Sequence, residues 1–141
     1  MNKIQILPMS SDATIPTRAS DNSAGLDLYA SKTTVIEAYN RNLIDTNLKL
    51  EMVGGTFGMI TGRSGIAWNH GIQIHTGIID SDYRGELKIL AYNTDKNNYV
   101  VWKGDRVGQL IILSHEKPEI RIVNTVNETS RGAHGFGSSG K

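Results

Sequence analysis

Chemically reactive side chains are concentrated in one short stretch of the chain, Gly77-Ile-Ile-Asp-Ser-Asp-Tyr-Arg-Gly85. Two carboxylates, a flat ring and a cation fall within five positions of it, on Asp80, Asp82, Tyr83 and Arg84. This is denser chemistry than a turn requires. An acidic turn whose Asp side chains cap their own backbone has the same composition, and the stretch taken alone favours that simpler interpretation, because acidic turns are common.

Two glycine-rich segments combine hydroxyl groups with an arginine, Gly62-Arg-Ser-Gly65 and Arg131-Gly-Ala-His-Gly-Phe-Gly-Ser-Ser-Gly140. Exposed backbone N–H groups beside a guanidinium form a cradle for phosphate. We expect Ser64 to be the N-cap of a single helical turn, whose N-terminus adds partial positive charge. Neither segment matches a P-loop or a dinucleotide-binding fingerprint, and a capped turn or a disordered tail explains each one alone. Phe136 favours a function for the second segment, because a flexible Gly-Ser tail has no need of an aromatic ring.

Asp27 lies between apolar neighbours and is either a turn acid or a ligand for a hard cation such as Mg²⁺. The histidines lack the spacing of a zinc site; they are His70, His75, His115 and His134. Two phosphate cradles, a carboxylate for a hard cation, a turn acid beside a flat ring and a mobile aromatic arm together suit a nucleoside polyphosphate with a divalent ion.

The composition predicts one soluble globular domain, because the 141 residues are 38% hydrophobic and 21% charged. The charges of the 15 basic and 14 acidic side chains nearly cancel. The chain therefore has no overall positive electrostatic field that would attract nucleic acid or an anionic membrane. The absence of cysteine excludes a disulfide framework and a thiolate metal site. With neither a signal-peptide pattern nor an apolar run of membrane-spanning length, we expect an intracellular soluble protein, in the cytoplasm, the nucleus or a virus's host cell.

The elements that must position these residues are short strands separated by turns. The predicted strands are 3–7, 33–36, 47–53, 56–61, 71–76, 87–92, 99–102, 107–113 and 120–123. Residues 77–87 are predicted to be a β-hairpin, with strands on both sides of a Gly- and Asp-containing connection. No segment sustains a helical period for three turns, so an all-β sandwich or barrel is expected. Residues 131–141 cannot pack a core and are predicted to be a mobile arm.

Five segments, in chain order, resemble the five motifs of the homotrimeric all-β family of deoxyuridine triphosphatases (dUTPases). They are Ala24-Gly-Leu-Asp-Leu-Tyr29, Gly62-Arg-Ser-Gly-Ile-Ala67, Gly77-Ile-Ile-Asp-Ser-Asp-Tyr-Arg-Gly85, Gly104-Asp-Arg-Val-Gly-Gln-Leu110 and Arg131-Gly-Ala-His-Gly-Phe-Gly-Ser-Ser-Gly140. The resemblance implies a distorted jelly-roll β-barrel over residues 1–130. It also implies that the glycine-rich arm, 131–141, closes the active site of a neighbouring subunit.

The same resemblance implies a reaction and a cofactor. The enzyme would hydrolyse dUTP to dUMP and pyrophosphate, which limits uracil incorporation into DNA and supplies dUMP for dTMP synthesis. Asp80 would activate the water that attacks the α-phosphorus, and Gln109 would help to position that water and the α-phosphate. Asp27 would orient Mg²⁺ through the water shell of the ion.

The other implied site residues bind substrate. Tyr83 would lie against the deoxyribose, Arg131 would meet the γ-phosphate and Phe136 would cover the uracil. The residues whose backbone would pair with uracil are Ile74, Gly77, Ile78, Ile79 and Lys88. The residues that would hold phosphate are Arg63, Ser64, Gly65, Gly137 and Ser138. Three chains would form a homotrimer with shared active sites, each combining the hairpin of one subunit, three motifs of a second and the arm of a third, without nucleic acid or membrane.

Four positions depart from the usual family pattern, and none removes a group with an implied role: Asn69, His75, Gly108 and His134. Two alternatives to the hydrolase stay open from the residues. Deoxycytidine triphosphate deaminases share the fold, but the sequence of their hairpin differs from the Asp-Ser-Asp-Tyr-Arg-Gly found here. A non-catalytic nucleotide sensor would keep binding and lose hydrolysis, and the presence of Asp80, Gln109 and the arm argues against it.

Overall fold

The computed structural model describes residues 3–138, which form eleven β-strands and one short helix. In chain order these are β1 (Gln5–Pro8), β2 (Leu26–Tyr29), β3 (Thr34–Ile36), β4 (Arg41–Asp45), β5 (Leu48–Glu51), β6 (Thr56–Thr61), α1 (Ser64–His70), β7 (Ile72–Ile74), β8 (Gly77–Asp80), β9 (Lys88–Asn93), β10 (Tyr99–Val101) and β11 (Arg106–Ser114). Among these residues, no helix is long and apolar enough to cross a membrane.

The strands form two larger sheets and two strand pairs, and all of the paired strands run antiparallel. One sheet has the order β2-β11-β6-β8 and the other has the order β4-β9-β7. The pairs are β1 with β5 and β10 with β3. Most predicted strands are present within one or two residues of the expected bounds, so the mostly-β prediction is confirmed.

Buried and more exposed side chains alternate along the strands, and the buried ones fill the core between the sheets. Along β6 every second residue is buried, and in β5 Leu48 and Leu50 are buried while their neighbours face outward. Successive side chains of a strand point to opposite faces, so this pattern delivers one apolar face per strand. The largest fully buried apolar side chains are Leu28, Ile36, Ile44, Leu48, Ile72, Leu87, Ile89 and Leu110.

The predicted hairpin over 77–87 is wrong in its pairing. Strand β8 pairs with β6, whereas β9 pairs with β4 and β7, so the connection between β8 and β9 crosses from one sheet to the other. Leu87 explains the crossing, because it is fully buried and its backbone is bonded to the far side. Its N–H donates to the carbonyl of Leu48 at 2.8 Å, and its carbonyl accepts the Thr46 hydroxyl at 2.6 Å.

Helix α1 also differs from the expected single turn capped by Ser64. The N-cap is Arg63, which has extended backbone angles and makes no side-chain cap, and Ser64 is the first helical residue. The helix runs for seven residues to His70, and its C-cap is Gly71, whose left-handed φ of 65° lets its N–H close on the carbonyl of Ala67.

Two further differences concern strands. Strands β2 and β4 were not predicted. The first three residues of β4 are exposed and Ile44 is its one fully buried residue, so its apolar alternation is weak. Residues 120–123 alternate like a strand but form none, since no neighbouring strand of the described chain pairs with them. Ile120 and Ile122 are 92% and 94% exposed as a result.

Candidate active site

Three distant motifs meet in one cavity of about 280 Å³. The register of β2 and β11 places Asp27 directly opposite Gln109. On its other side β11 pairs with β6, and there Gln109 faces the last residue of the strand that leads into α1. Sheet order therefore collects the predicted polar residues at one edge. The cavity is lined by Ala19, Ser23, Gly25, Asp27, Arg63, Ser64, Gly65 and Gln109.

The carboxylate of Asp27 is nearly buried and is held between two guanidinium groups. Its Oδ1 lies 3.2 Å from Nε of Arg63, and its Oδ2 lies 3.4 Å from Nη1 of Arg106. Removing one partner of a buried ion pair leaves an unpaired buried charge, and this typically destabilises the fold by about 3–5 kcal/mol. Asp27 is therefore an ion-pair centre, and Arg63 reaches it from the glycine-rich segment.

A β-bulge at the start of β11 accompanies the contact of Arg106 with Asp27. The register along β2 shifts between Arg106 and Gly108, and the intervening Val107 is fully buried. A bulge re-aims the side chains beside it, which allows Val107 to fill the core while Arg106 reaches the acid. Gly108 is closely approached as well, because a Cβ there would lie 3.1 Å from the carbonyl oxygen of Thr61.

Gln109 is fixed in the cavity by its side-chain amide. Its Nε2 donates to the carbonyl of Gly62 at 3.0 Å, at the first residue of the phosphate-cradle segment. A Cβ on Gly25 would lie 2.6 Å from its Oε1, so the glycine of the first motif leaves room for the amide. The Oε1 atom of Gln109 therefore lies in the space beside Gly25.

The donor set is consistent with a magnesium ion that keeps most of its water. Among residues 3–138 no group of three or more His, Cys, Asp or Glu side chains is placed to hold a metal. Mg²⁺ is usually held by one or two carboxylates together with water and substrate phosphates, and not by an all-protein cage. Asp27, already paired with two cations, fits a contact through water better than a direct one.

The third motif forms a second cavity of about 250 Å³, lined by Ile78, Ile79, Asp80, Tyr83, Glu86 and Lys88. Asp80 is the last residue of β8 and its side chain is exposed. Ile74 and Gly77 lie at the entry to this segment, in β7 and β8, and Ile74 also lies beside Gly62, which precedes Arg63 of the first cavity.

The turn after β8 holds the Tyr83 ring over Gly85. The N–H of Tyr83 donates to the carbonyl of Asp80 at 3.1 Å, and its hydroxyl donates to the carbonyl of Glu86 at 3.1 Å. A Cβ on Gly85 would lie 2.1 Å from that hydroxyl oxygen, so any other residue at position 85 would displace the ring from this position. The ring stays 44% exposed and presents one face to the cavity side of the turn.

A chain of four charges borders this cavity. Asp45 lies 2.5 Å from Lys32 and 2.7 Å from Lys88, and Lys88 lies 3.3 Å from Glu86. The hydrogen bonds donated by Lys32 and then Lys88 hold the pKa of the Asp45 carboxyl below its usual value. The hydrogen bonds to Asp45 and then Glu86 raise the pKa of the Lys88 ammonium.

The predicted arm residues are not brought to either cavity by this single chain. Arg131 donates through Nε to the carbonyl of His134 at 2.9 Å, and Ser138 N–H donates to Gly135 at 3.0 Å, so these described bonds of the arm are local. Phe136 is fully exposed and Gly137 has a left-handed φ of 87°. The end of the predicted arm, 139–141, lies outside the described residues.

A family model described as dUTPase matches residues 11–140. This chain belongs to the dUTPase family. The deoxyuridine 5'-triphosphate nucleotidohydrolase of Paramecium bursaria Chlorella virus 1 is 39% identical to it over 140 residues, 99% of each chain. That of Kluyveromyces lactis is 43% identical over 141 residues, 99% of this chain and 95% of the relative. The family resemblance of the five motifs is thereby confirmed.

Solved structures of the dUTPase family match the fold. The Staphylococcus bacteriophage 80alpha dUTPase with dUpNHpp has a TM-score of 0.95 at 29% identity, with 100% of both chains covered. A mutant dUTPase of phage phi11 of S. aureus, whose structure reveals the coordination of a structural Mg(II) ion, has a TM-score of 0.85 at 25% identity over 90% of this chain and 100% of that one. The predicted fold class is confirmed by these matches.

Two residues of this dUTPase-family chain take part in the site's polar contacts without having been predicted. Arg106 pairs with Asp27, and Glu86 accepts the Tyr83 hydroxyl at its backbone carbonyl and pairs its carboxylate with the Lys88 ammonium. Both lie inside or beside a recognised motif, and a signal existed for each. A nearly buried acid such as Asp27 requires a cation nearby, and an acid two residues before a lysine is close enough in sequence to pair with it.

Proposed function

We propose that this chain hydrolyses dUTP to dUMP and pyrophosphate through attack of an Asp80-activated water on the α-phosphorus, assisted by Mg²⁺. Membership of the dUTPase family makes it a dUTP diphosphatase, and the mechanism is the part we propose. The observation that carries it is the meeting of Asp27, Arg63 and Gln109 in one cavity with glycine backbone and a serine hydroxyl. The reaction would limit uracil in DNA and supply dUMP, inside a cell or a virus's host.

The first cavity is proposed to hold the triphosphate. Arg63, Ser64 and Gly65 offer a guanidinium, a hydroxyl and backbone N–H groups, and charge-assisted bonds from such groups to phosphate are strong and directional. Mg²⁺ would supply Lewis-acid neutralisation of the phosphate oxygens when bound. Asp27 would face the water shell of the ion, and Gln109, fixed by its bond to Gly62, would orient the α-phosphate and the water.

Asp80 is proposed as the general base. Within residues 3–138 its carboxylate takes part in no ion pair, so its lone pairs remain open to a water molecule. The bond from Tyr83 N–H to its backbone carbonyl fixes the end of β8. A positioned base contributes about 10²–10⁴-fold to rate, and in-line phosphoryl transfer depends otherwise on positioning and on charge neutralisation.

Tyr83 and the strand backbones are proposed to read the nucleoside. The ring would lie against the deoxyribose, so that a 2′-hydroxyl must clash or be buried unpaired, which costs about 1–3 kcal/mol. An open apolar pocket rejects an added hydroxyl by only about a hundredfold, so the rigid ring is needed for more. Uracil would be bonded by backbone groups of Ile74, Gly77, Ile78, Ile79 and Lys88.

A homotrimer is proposed because the chain leaves the site divided. The arm residues Arg131, Phe136, Gly137 and Ser138 make local contacts, and they would close a site on another subunit, covering uracil and phosphates. Ile120, Ile122 and Val126 are each at least 85% exposed on the segment before the arm. Exposed apolar side chains in one segment favour burial against a further copy.

A pyrophosphate-release assay with dUTP, dCTP and dTTP tests the proposed function. We expect release from dUTP with Mg²⁺, little from dCTP and dTTP, and a loss when the metal is chelated. Ammonia from dCTP would indicate a deaminase. Binding of dUTP without any product would indicate a sensor, and either result would refute the proposal.

A further inference from the structure

We infer that Glu86 is a positioning residue that holds the Tyr83 ring in place and so contributes to rejection of a 2′-hydroxyl. The inference rests on the proposed function, because it requires Tyr83 to lie against the sugar. It adds a residue to which no role was assigned. Glu86 acts through Tyr83, and the contact between them is the 3.1 Å hydrogen bond from the tyrosine hydroxyl to the Glu86 carbonyl.

Both oxygens of the Glu86 side chain are tethered to other elements. Its Oε1 accepts the backbone N–H of Asn47 at 2.9 Å, in the connection between β4 and β5. Its Oε2 lies 3.3 Å from Nζ of Lys88 on β9. The side chain is only 17% exposed, so water competes weakly for these bonds. The residue that accepts the tyrosine hydroxyl is therefore anchored from two directions.

The anchors are themselves fixed. Lys88 is also bonded to Asp45 at 2.7 Å, and Asp45 is bonded in turn to Lys32. Asn47 has a φ of 55°, a left-handed conformation that asparagine tolerates better than most residues, and its carbonyl accepts the N–H of Met9 at 2.8 Å. Leu87, the next residue after Glu86, is fully buried. The Glu86 carbonyl thus belongs to a rigid frame.

The Tyr83 ring, by contrast, is held by few contacts. It is 44% exposed and lies over a glycine that has no side chain to pack against it. Within residues 3–138 its one side-chain hydrogen bond is to the Glu86 carbonyl. A ring held in this way keeps its orientation only while its acceptor stays in place. Loosening Glu86 is expected to let the ring tilt and admit a ribose.

The test compares kcat/KM for dUTP with kcat/KM for UTP in the full-length chain and its variants. We expect Glu86→Ala to lower the dUTP:UTP ratio by about tenfold, which corresponds to about 1.4 kcal/mol. Glu86→Gln keeps an acceptor for Asn47 and loses the ion pair with Lys88, so its ratio should fall in between. Tyr83→Phe should lower the ratio in the same way, and adding Glu86→Ala to it should lower the ratio no further.

The matched control is Glu51→Gln. Glu51 lies 3.9 Å from Arg84 of the same turn, but among the described residues it makes no hydrogen bond to Tyr83 and does not line the second cavity, so its substitution should leave the ratio unchanged. Glu86→Ala could instead keep the wild-type dUTP:UTP ratio while both kcat/KM values and the thermal stability fall. That result would show a purely structural role for Glu86 and overturn the inference. If Glu86→Ala does not fold, Glu86→Gln and Tyr83→Phe decide.

The inference and the proposed function fail in different ways. A wild-type chain that releases no pyrophosphate from dUTP refutes the function, and the inference with it. A wild type that hydrolyses dUTP selectively, together with Glu86 variants that keep the wild-type ratio, refutes the inference alone. A Tyr83→Phe/Glu86→Ala double variant whose losses add would mean that Glu86 acts on the sugar by another route, which also overturns it.

Discussion

The Nε atom of Arg63 lies 3.2 Å from Oδ1 of Asp27, so the arginine proposed for phosphate and the acid proposed for magnesium are partners in the free chain. A magnesium–triphosphate complex brings a cation for the acid and an anion for the arginine. Binding can therefore exchange one ion pair for two without leaving a buried charge unmatched. The pair keeps each group in position until the substrate arrives.

Asp27→Asn is expected to raise the affinity for pyrophosphate in the absence of metal. Without the carboxylate, Arg63 and Arg106 have lost their shared partner and can bond an anion directly. A charged hydrogen bond contributes about 1.5–3 kcal/mol, so we expect tighter binding by about tenfold or more. Calorimetric titration with pyrophosphate measures this. Unchanged affinity would mean that the two arginines do not face the anion.

The same variant should respond weakly to magnesium, because the acid that faces the water shell is gone. Turnover of dUTP is measured against Mg²⁺ concentration, and the half-maximal concentration should rise. Asp12→Asn serves as the control, since Asp12 is an exposed ion-pair acid that lines neither cavity.

Asp80→Asn should abolish hydrolysis and keep substrate binding. Removal of a general base costs about 10²–10⁴-fold in rate, while the contacts of the phosphate cavity survive. Single-turnover rates and the affinity for a non-hydrolysable dUTP analogue separate the two effects. Asp82→Asn, two residues further along the same turn, is the matched control, and near-wild-type turnover in Asp80→Asn would remove Asp80 from the mechanism.

Deletion of residues 131–141 should leave the proposed trimer intact and reduce turnover sharply. The described arm is bonded to itself and, through the Gly132 N–H, to the nearby Thr129, so its removal breaks no described hydrogen bond to a strand of the body. Sedimentation velocity and a pyrophosphate assay give the two readouts. A truncated protein that sediments as a monomer would show that the arm also clasps the subunits together.

Gly85→Ala should impair sugar selectivity more than stability. The added methyl would meet the Tyr83 hydroxyl at 2.1 Å, and the far end of a half-exposed side chain can move away at little cost to the fold. We expect the dUTP:UTP ratio to fall toward that of Tyr83→Ala. In the Tyr83→Ala background the same glycine substitution should have no further effect on the ratio, and a further loss would locate the clash elsewhere.

The Asp45 ion pairs should make stability fall in acid. The folded-state pKa of Asp45 is depressed, so its contribution is present above the unfolded value of about 3.9 and is lost as pH falls through the folded value. For Lys88 the pKa is raised, so its contribution is present below about 10.4 and is lost at higher pH. Thermal melts of wild type and Asp45→Asn should differ at neutral pH and converge below pH 4.

The sequence predicted local features well because their causes are local. The alternation of Leu48, Leu50 and Met52 specifies a strand with one buried face. The motif sequences predicted Asp27, Asp80 and Gln109 as site residues. The meeting of Asp27 with Gln109 depends on the pairing of β2 with β11, which no local pattern encodes. The motifs predicted which residues form the site, and strand pairing decided which of those residues touch.

The failures have the same origin. Residues 77–87 have the composition of a hairpin, but the buried Leu87 bonds to the connection after β4, and this long-range contact separates β8 from β9. Residues 120–123 have the β-branched alternation of a strand, yet a strand needs a partner as well as a pattern. Roles for Arg106 and Glu86 were not predicted, because each role depends on the acid, ring or lysine that the fold brings into contact with it.

The crossing of the chain between sheets makes the width of the second cavity a property of the core. Asp80 belongs to the sheet of β6 and β11, whereas Lys88 belongs to that of β4 and β7, and the space between them is set by how the two layers pack. A change beneath the surface, such as Leu87→Val, can therefore retune the cavity while every lining residue is kept. Laboratory evolution toward other nucleotides should find mutations in this buried layer before it finds them among the residues that touch the ligand.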